Sequence, residues 1–307
     1  MQTPAAGQIA SEPLLSSAPK SALDFALRGR ARASLSQYEE ASQDFREAVR
    51  LDPSDAYSNS EGAQARLELG DLDGASGLAY RAIVLEPDNS NYYSSVVDVQ
   101  LGRDDLKEAA AEIDKLAAQA DSPAAKAEIS RLRCLILFYQ RDYAKARKLT
   151  DTFAKENPAD AEYFRMLCAL ATGDGPAIVE HGRNTLGHTG YKAGLSGLVC
   201  AYVALGYEIS HKGREGTDFL LTALPRLRGA WSAPAAQYAA GKLSEQDFLE
   251  RAGGDLGHRL QARTLVGLLA ATRGEKTKAR EHLQWVTSQG QHWKTTYPLS
   301  QAWLKRI

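Results

Sequence analysis

Three cysteines are the side chains of this sequence that could bind a metal or form a disulfide. Cys134 and Cys168 lie 34 residues apart, and Cys200 follows 32 residues later. A structural zinc site needs close ligand pairs such as C-x2-C, which this spacing does not provide. A thiol also packs as a small apolar side chain. We therefore expect all three cysteines to be buried core residues, and we predict neither a metal site nor a disulfide.

The histidines, carboxylates and glycines offer no catalytic set. None of the six histidines belongs to an H-E-x-x-H pair, and we expect His282 and His292 on exposed faces of the last helices. Adjacent carboxylates such as Glu39 and Glu40 point to different sides of a helix, which makes them poor partners in proton transfer. The sequence contains neither a phosphate-binding loop nor a G-x-S-x-G nucleophile elbow. We predict a protein that is not an enzyme and uses no cofactor.

Composition and charge restrict the class of partner. The 307 residues are 44% apolar and 24% charged, which is ordinary for a folded globular protein. Because 37 Lys and Arg balance 38 Asp and Glu, no net positive charge is available to hold a phosphate backbone or an anionic membrane surface. No run approaches the roughly 18 apolar residues of a membrane helix. We expect no nucleic-acid partner and no membrane span.

A pattern of small residues, apolar residues and a proline recurs every 34 positions along the chain. The stretches FREAVRLDPSDAY and RAIVLEPDNSNYY bring Ala48 into register with Ala82, and Pro53 into register with Pro87. A fixed period of this length marks a stacked supersecondary unit. Inside each unit the apolar residues recur at steps of three and four, which is typical of one helix face, and the proline ends the helix. The sequence therefore predicts consecutive pairs of helices.

This pattern resembles the tetratricopeptide repeat (TPR). The signature A-x3-F with a closing proline is present in the first repeat at Ala41, Phe45 and Pro53. Arg28 and Arg32 stand where the family has Leu and Tyr, so we expect an imperfect repeat at the edge of the array. Seven glycines between positions 173 and 197 weaken helices, and we expect a joint or a changed packing angle there.

The resemblance implies an all-α, right-handed TPR-type solenoid of helix-turn-helix units. We expect about six to seven helix pairs and a C-terminal helix that caps the last pair. The expected organisation is a flexible N-terminal segment at 1–20, TPR repeats at 21–190, and a TPR-like helical region with the capping helix at 191–307.

A second resemblance covers the C-terminal part. The stretch AWSAPAAQYAAGKLSEQDFLERA, residues 230–252, is similar to bacterial TPR lipoprotein adaptors of the new lipoprotein I type. The resemblance continues through the following repeat and covers about the last eighty residues of the chain. The matching residues are Trp231, Tyr238, Gly241, Leu243, Ser244, Glu245, Gln246, Leu249 and Glu250, then Gly274, Ala279 and Leu283. This resemblance implies an adaptor that brings a protease or hydrolase to its substrates. A self-assembling TPR protein and a secretion or chaperone co-factor stay open as alternatives.

The N-terminal residues bear on the compartment. The opening MQTPAAG resembles an initiator Met placed before an already processed protein, and no lipobox Cys lies near it. We expect a periplasmic or cell-envelope protein if an export signal has been removed, and a cytoplasmic protein otherwise.

A concave groove is the binding surface that the TPR resemblance implies, because the first helix of each pair lines it. By this registration the exposed groove positions are Arg30, Tyr57, Gln64, Asp98, Arg131, Phe138 and Arg165. Arg131 and Arg165 are 34 residues apart, so we expect them to stack on one side and to attract an acidic segment. The prediction is a scaffold or adaptor that holds a peptide or protein by preformed shape, with self-association as the alternative.

Overall fold

The computed structural model describes residues 14–16, 18–188, 196–227 and 231–307, and within these ranges the fold is all-α without a strand. The chain divides into two compact units, Met1–Leu132 (unit 1) and Arg133–Ile307 (unit 2). Within the described ranges no helix is both long enough and apolar enough to cross a bilayer. The predicted segment boundaries after residues 20 and 190 stay predictions.

Unit 1 consists of helix pairs joined by short turns. Its helices are α1 (Ala22–Ser34), α2 (Tyr38–Leu51), α3 (Ala56–Glu68), α4 (Leu72–Leu85), α5 (Tyr93–Gly102), α6 (Leu106–Ala117) and the start of α7 (Pro123–Tyr139). The pairs are α1 with α2, α3 with α4, and α5 with α6. Ala41, Ala75 and Ala109 are each 0% exposed, so the 34-residue period marks the small residues buried within each pair. The predicted TPR-type architecture is confirmed.

A buried ion-pair cluster joins the two helices of the imperfect first repeat. Asp44 on α2 is only 2% exposed, and both arginines that replace the usual Leu and Tyr donate to its carboxylate. The distances are 2.6 Å from Arg28 Nη2 to Asp44 Oδ1 and 2.7 Å from Arg32 Nη1 to Asp44 Oδ2. A buried carboxylate must be paired to be tolerated, so the two arginines and Asp44 act as one structural group.

Unit 2 continues the helix pairs and adds short helices before the last pair. Its helices are the rest of α7, α8 (Tyr143–Leu149), α9 (Pro158–Thr172), α10 (Gly175–Gly187), α11 (Ser196–Ile209), α12 (Gly213–Ala223), α13 (Ser232–Ala239), α14 (Glu245–Arg251), α15 (Leu256–Thr272), α16 (Lys276–Ser288) and α17 (Thr296–Leu304). Cys134, Cys168 and Cys200 are at most 2% exposed, which confirms them as core residues.

α10 and α11 pack in contact at glycines. A Cβ on Gly206 would lie 2.9 Å from the Gly175 carbonyl oxygen, and a Cβ on Gly182 would lie 2.5 Å from a methyl of Val203. Gly173 ends α9 in the left-handed conformation, with φ 68°. These glycines therefore serve close packing and one helix end. Residues 189–195, where the expected joint also falls, lie outside the described residues.

The C-terminal helix packs on more than the last pair. α17 contacts α15 and α16, as predicted for a cap, and it also contacts α9, the first helix of a much earlier pair. The Trp303 indole donates to the Leu170 carbonyl at 2.8 Å, and Arg306 donates to the Thr172 carbonyl at 2.5 Å. The end of the chain is therefore tied to α9 by side-chain bonds to backbone carbonyls.

The prediction that His282 and His292 are exposed is wrong for His282. Its side chain is buried on α16 and its Nε2 lies 3.1 Å from Glu245 Oε1 on α14. Glu245, the first residue of α14, binds the face of α16 that the local pattern marks as solvated. His292 is half-buried and its ring lies 4.4 Å from that of Tyr297.

Candidate partner-binding surface

The first helices of the unit 1 pairs are neighbours, because α3 contacts both α1 and α5. Four predicted groove residues lie on these three helices: Arg30 on α1, Tyr57 and Gln64 on α3, and Asp98 on α5. Arg30 is exposed and the other three are half-buried. We call the first-helix face that carries these four residues the unit 1 wall.

One end of the unit 1 wall is an electrostatic cluster of Arg30, Tyr57 and Glu61. Burial raises the pKa of the Tyr57 hydroxyl and the pKa of the Glu61 carboxyl, and the positive charge of Arg30 partly offsets both shifts. Arg30 on α1 is therefore close enough to Tyr57 and Glu61 on α3 to affect the charge of both groups, and polar groups of two neighbouring helices meet at this end of the wall.

The start of α3 is set by its capping residue, which places Tyr57 and Glu61. Asp55 accepts hydrogen bonds from the backbone N–H groups of Tyr57 and Ser58, each at 3.2 Å, so the helix begins one residue before Tyr57. Tyr57 and Glu61 are then one helical turn apart on the same face. This i, i+4 spacing is the signal that could have added Glu61 to the predicted set.

The other end of the unit 1 wall is joined across two helices. Gln64 Nε2 on α3 donates to Ser95 Oγ on α5 at 2.8 Å. Ser95 stands one turn before Asp98, so Gln64 and Asp98 belong to one continuous face. Tyr92, which precedes α5, is buried, and this burial, with the charge of Glu86, raises its pKa to about 12. Ser95 is not among the predicted groove residues, although its spacing to Asp98 could have identified it.

The remaining three predicted residues are engaged elsewhere. Arg131 on α7 binds Glu128 with two hydrogen bonds, of 2.6 and 2.7 Å. Phe138 is 0% exposed and packs against Tyr143 with ring centroids 5.5 Å apart, so the expectation that it is exposed is wrong. α8 covers that face of α7, which the helical period alone does not reveal.

Arg165 is half-buried and lies within unit 2. Its Nε donates to Thr150 Oγ1 at 2.7 Å and its Nη2 to Asp151 Oδ1 at 2.6 Å, and both acceptors belong to the 3-10 turn that follows α8. Arg165 thus contacts the second-helix side of the preceding pair. Arg131 belongs to unit 1, and its stacking with Arg165 stays a prediction.

The helix pairs, the 34-residue period and the buried small residues define an all-α protein of TPR-type fold. No family model matches the chain, and no curated protein is similar to it. Among solved structures, a monomeric mutant of human IFIT1 with Gppp-AAAA aligns with TM-score 0.51 at 14% identity over 87% of this chain and 71% of that chain. A tetratricopeptide repeat protein from Parabacteroides merdae aligns with TM-score 0.48 at 11% identity over 92% of this chain and all of that one. At these identities the similarity describes the fold alone.

Proposed function

We propose that this protein is a scaffold or adaptor that binds a polypeptide partner along the unit 1 wall. The observation that carries this proposal is that Arg30, Tyr57, Gln64 and Asp98 lie on three neighbouring first helices, with Arg30 exposed and the other three only half-buried. The wall lies on helices held by the TPR-type pairs. Little backbone ordering is then needed when a partner docks, which lowers the entropic cost of binding.

The comparison with unit 2 supports unit 1 as the binding unit. In unit 2 the first helix α9 is already contacted by α17, through the bonds of Trp303 and Arg306 to its carbonyl groups. The chain itself therefore occupies part of that surface. In unit 1, Arg30 is exposed and Tyr57, Gln64 and Asp98 are half-exposed.

The partner chemistry follows from the groups on the unit 1 wall. A guanidinium, a hydroxyl, an amide and two carboxylates offer donors and acceptors at successive turns of neighbouring helices. Such a surface suits an extended or helical polypeptide with its own polar groups. The balanced charge of the chain gives no support to a nucleic-acid partner.

Recruitment of a protease or hydrolase is the finer proposal, and it is supported by the resemblance of residues 230–252 to lipoprotein adaptors. Two of the matching residues have structural roles in unit 2: the rings of Trp231 and Tyr238 both stack with that of Phe248, with centroid distances of 5.6 and 4.9 Å. The adaptor role is tested by native capture and mass spectrometry. A captured hydrolase would support it, and a captured chaperone or secretion component would support the alternative.

Site-directed crosslinking tests the unit 1 wall. A photo-crosslinking amino acid is placed at Leu27, which is 38% exposed on α1 one turn before Arg30, and a matched one at Val84, which is 78% exposed on the second helix α4. We expect a polypeptide adduct from position 27 that is lost with Tyr57→Ala and Glu61→Ala together. Equal adducts from both positions would contradict the proposal, and an adduct with a second copy of the chain would favour self-assembly.

A further inference from the structure

Unit 2 carries a second polar surface, separate from the unit 1 wall. A cavity of about 350 Å³ lies among α8, α9 and α10. Its lining residues are Ala144, Arg147, Lys148, Asp151, Arg165 and His181. Basic side chains from three different helices therefore face one cavity.

Glu162 holds two of these basic side chains in place. Its Oε2 accepts a hydrogen bond from His181 Nδ1 at 2.8 Å and one from Asn184 Nδ2 at 3.1 Å, and its Oε1 binds Arg165. Burial by itself would raise the pKa of the Glu162 carboxyl, but the hydrogen bonds from His181, Asn184 and Arg165 outweigh burial and lower it. The carboxylate stays ionised, so Arg165 and His181 are oriented before any ligand arrives.

Arg147 and Lys148 are the groups available to a ligand. Both side chains are exposed in the last turn of α8, and neither forms a hydrogen bond or ion pair with any described residue. Cations in the last turn of a helix also interact favourably with the helix dipole. Stabilisation of the α8 dipole would not require a cation from another helix, but Arg165 from α9 lines the same cavity.

A smaller cavity continues from the first. It has a volume of about 230 Å³ and shares Ala144 and Arg147 with the basic cavity. Its other lining residues are Tyr143, Cys168, Ala169, Thr172 and Asp174. Arg147 thus stands between a basic cavity and a smaller one lined largely by small side chains.

We infer that the surface formed by Arg147, Lys148, Arg165 and His181, here called the basic pocket, binds a phosphate monoester carried by a polypeptide partner. Arg165 already binds the carboxylates of Asp151 and Glu162. Asp174 lines the smaller cavity, and its carboxylate caps α10. Arg147 and Lys148 form no ion pair with a described residue, so two positive charges are left for an anion. A phosphate monoester carries close to two negative charges and three strong acceptor oxygens. Arginine can donate two parallel hydrogen bonds to such a group. A partner carboxylate has one charge and two oxygens, and is the weaker ligand.

The test uses the full chain and four short probes at constant ionic strength. The probes are the capped peptides Ala-phosphoserine-Ala, Ala-Glu-Ala and Ala-Ser-Ala, and a four-nucleotide oligoadenylate. Binding is followed by backbone amide NMR shifts of α8 to α10. We expect saturable shifts with the phosphoserine peptide, affinity at least about tenfold above that of the glutamate peptide, and no saturation with the serine peptide.

A double variant and its control test whether the phosphopeptide binds at the basic pocket. Arg147→Ala with Lys148→Ala should lower phosphopeptide affinity at least about tenfold, because it removes both unpaired cations. Lys212→Ala with Arg214→Ala removes two exposed cations near the start of α12 and should leave affinity within about twofold. Equal loss in both variants, equal binding of the glutamate and phosphoserine peptides, or tighter binding of the oligonucleotide would each overturn the inference. None of these outcomes depends on whether the unit 1 wall binds a partner.

Discussion

Unit 1 and unit 2 use the same helix pair in different ways. In unit 1 the 34-residue period persists, and half-buried polar groups remain on the first helices. In unit 2 the C-terminal helix binds the first helix α9 through Trp303 and Arg306. The comparison shows that the first helix of a pair can either keep an exposed polar face or bind a distant segment of the same chain. The outcome depends on contacts between residues far apart in sequence.

Trp303→Ala should give the largest effect on this comparison. The indole is 5% exposed and donates to the Leu170 carbonyl, so its loss leaves a cavity and an unpaired acceptor. We expect unit 2 to lose about 3 to 5 kcal/mol of unfolding free energy. All four tryptophans lie in unit 2, so the remaining ones report its urea unfolding by fluorescence.

Leu221→Ala is the matched control for Trp303→Ala, because Leu221 is 43% exposed on α12. It should cost less than about 1 kcal/mol. Hydrogen exchange of α9 adds a second readout. Unchanged protection of α9 in Trp303→Ala would show that α17 is only a peripheral helix.

Asp44→Ala is the corresponding change in unit 1. It removes the carboxylate that Arg28 and Arg32 bind and leaves two arginines that are only 17% and 22% exposed. Since these arginines keep some contact with water, we expect a loss of about 2 to 3 kcal/mol, below the range for a fully buried pair. Hydrogen exchange of the α2 backbone amides measures this loss of stability. Glu47→Ala on the same helix breaks an exposed pair with Arg50 and should cost under about 1 kcal/mol; an equal cost would contradict the structural role of Asp44.

Two glycine substitutions should change stability in opposite directions. A Cβ on Gly206 in α11 would press on the Gly175 carbonyl and Ile178, so Gly206→Ala should destabilise unit 2 by about 1 to 3 kcal/mol. Gly77 in α4 has no neighbour within 4 Å of an added Cβ, so Gly77→Ala should stabilise unit 1 by about 0.5 to 1 kcal/mol. Urea unfolding and hydrogen exchange measure the two changes. Two effects of the same sign would show that α11 has room for a side chain at Gly206, against the close contacts expected there.

The smallest expected effect is a pH dependence in unit 2. Burial lowers the pKa of His282 below 6.5, with Arg263 also lowering it and Glu245 and Glu281 acting in the opposite direction. The unfolded chain then binds more protons than the folded one below pH 6.5, so stability is full above that pH and declines as pH falls. The slope from this one group is at most about 1.4 kcal/mol per pH unit.

His282→Gln should flatten this pH dependence of unit 2. Urea unfolding followed by tryptophan fluorescence at pH 7.5 and pH 5.5 measures it. Lys278 binds Glu245 from the same helix as His282 and keeps its charge across this range, so it does not contribute to the slope. The same slope in the wild type and in His282→Gln would assign the dependence to other groups.

Local sequence determined the helix pairs and much of the core. The period that joins Ala41 to Ala75, and the helical spacing around Cys134 and Cys168, depend on residues within one repeat, and all four are buried as predicted. The same period placed Arg30, Tyr57, Gln64 and Asp98 on first helices. Glu61 could also have been found, because it is one turn from Tyr57.

Only the tertiary structure decided which predicted surfaces are covered. Phe138 is buried under α8, His282 is buried and contacts Glu245 of α14, and the Leu170 carbonyl receives its hydrogen bond from Trp303. A helical period identifies a face, but it carries no information about which later segment packs on that face. For Leu170 that segment lies more than one hundred residues away, so a pattern confined to one repeat could not predict it.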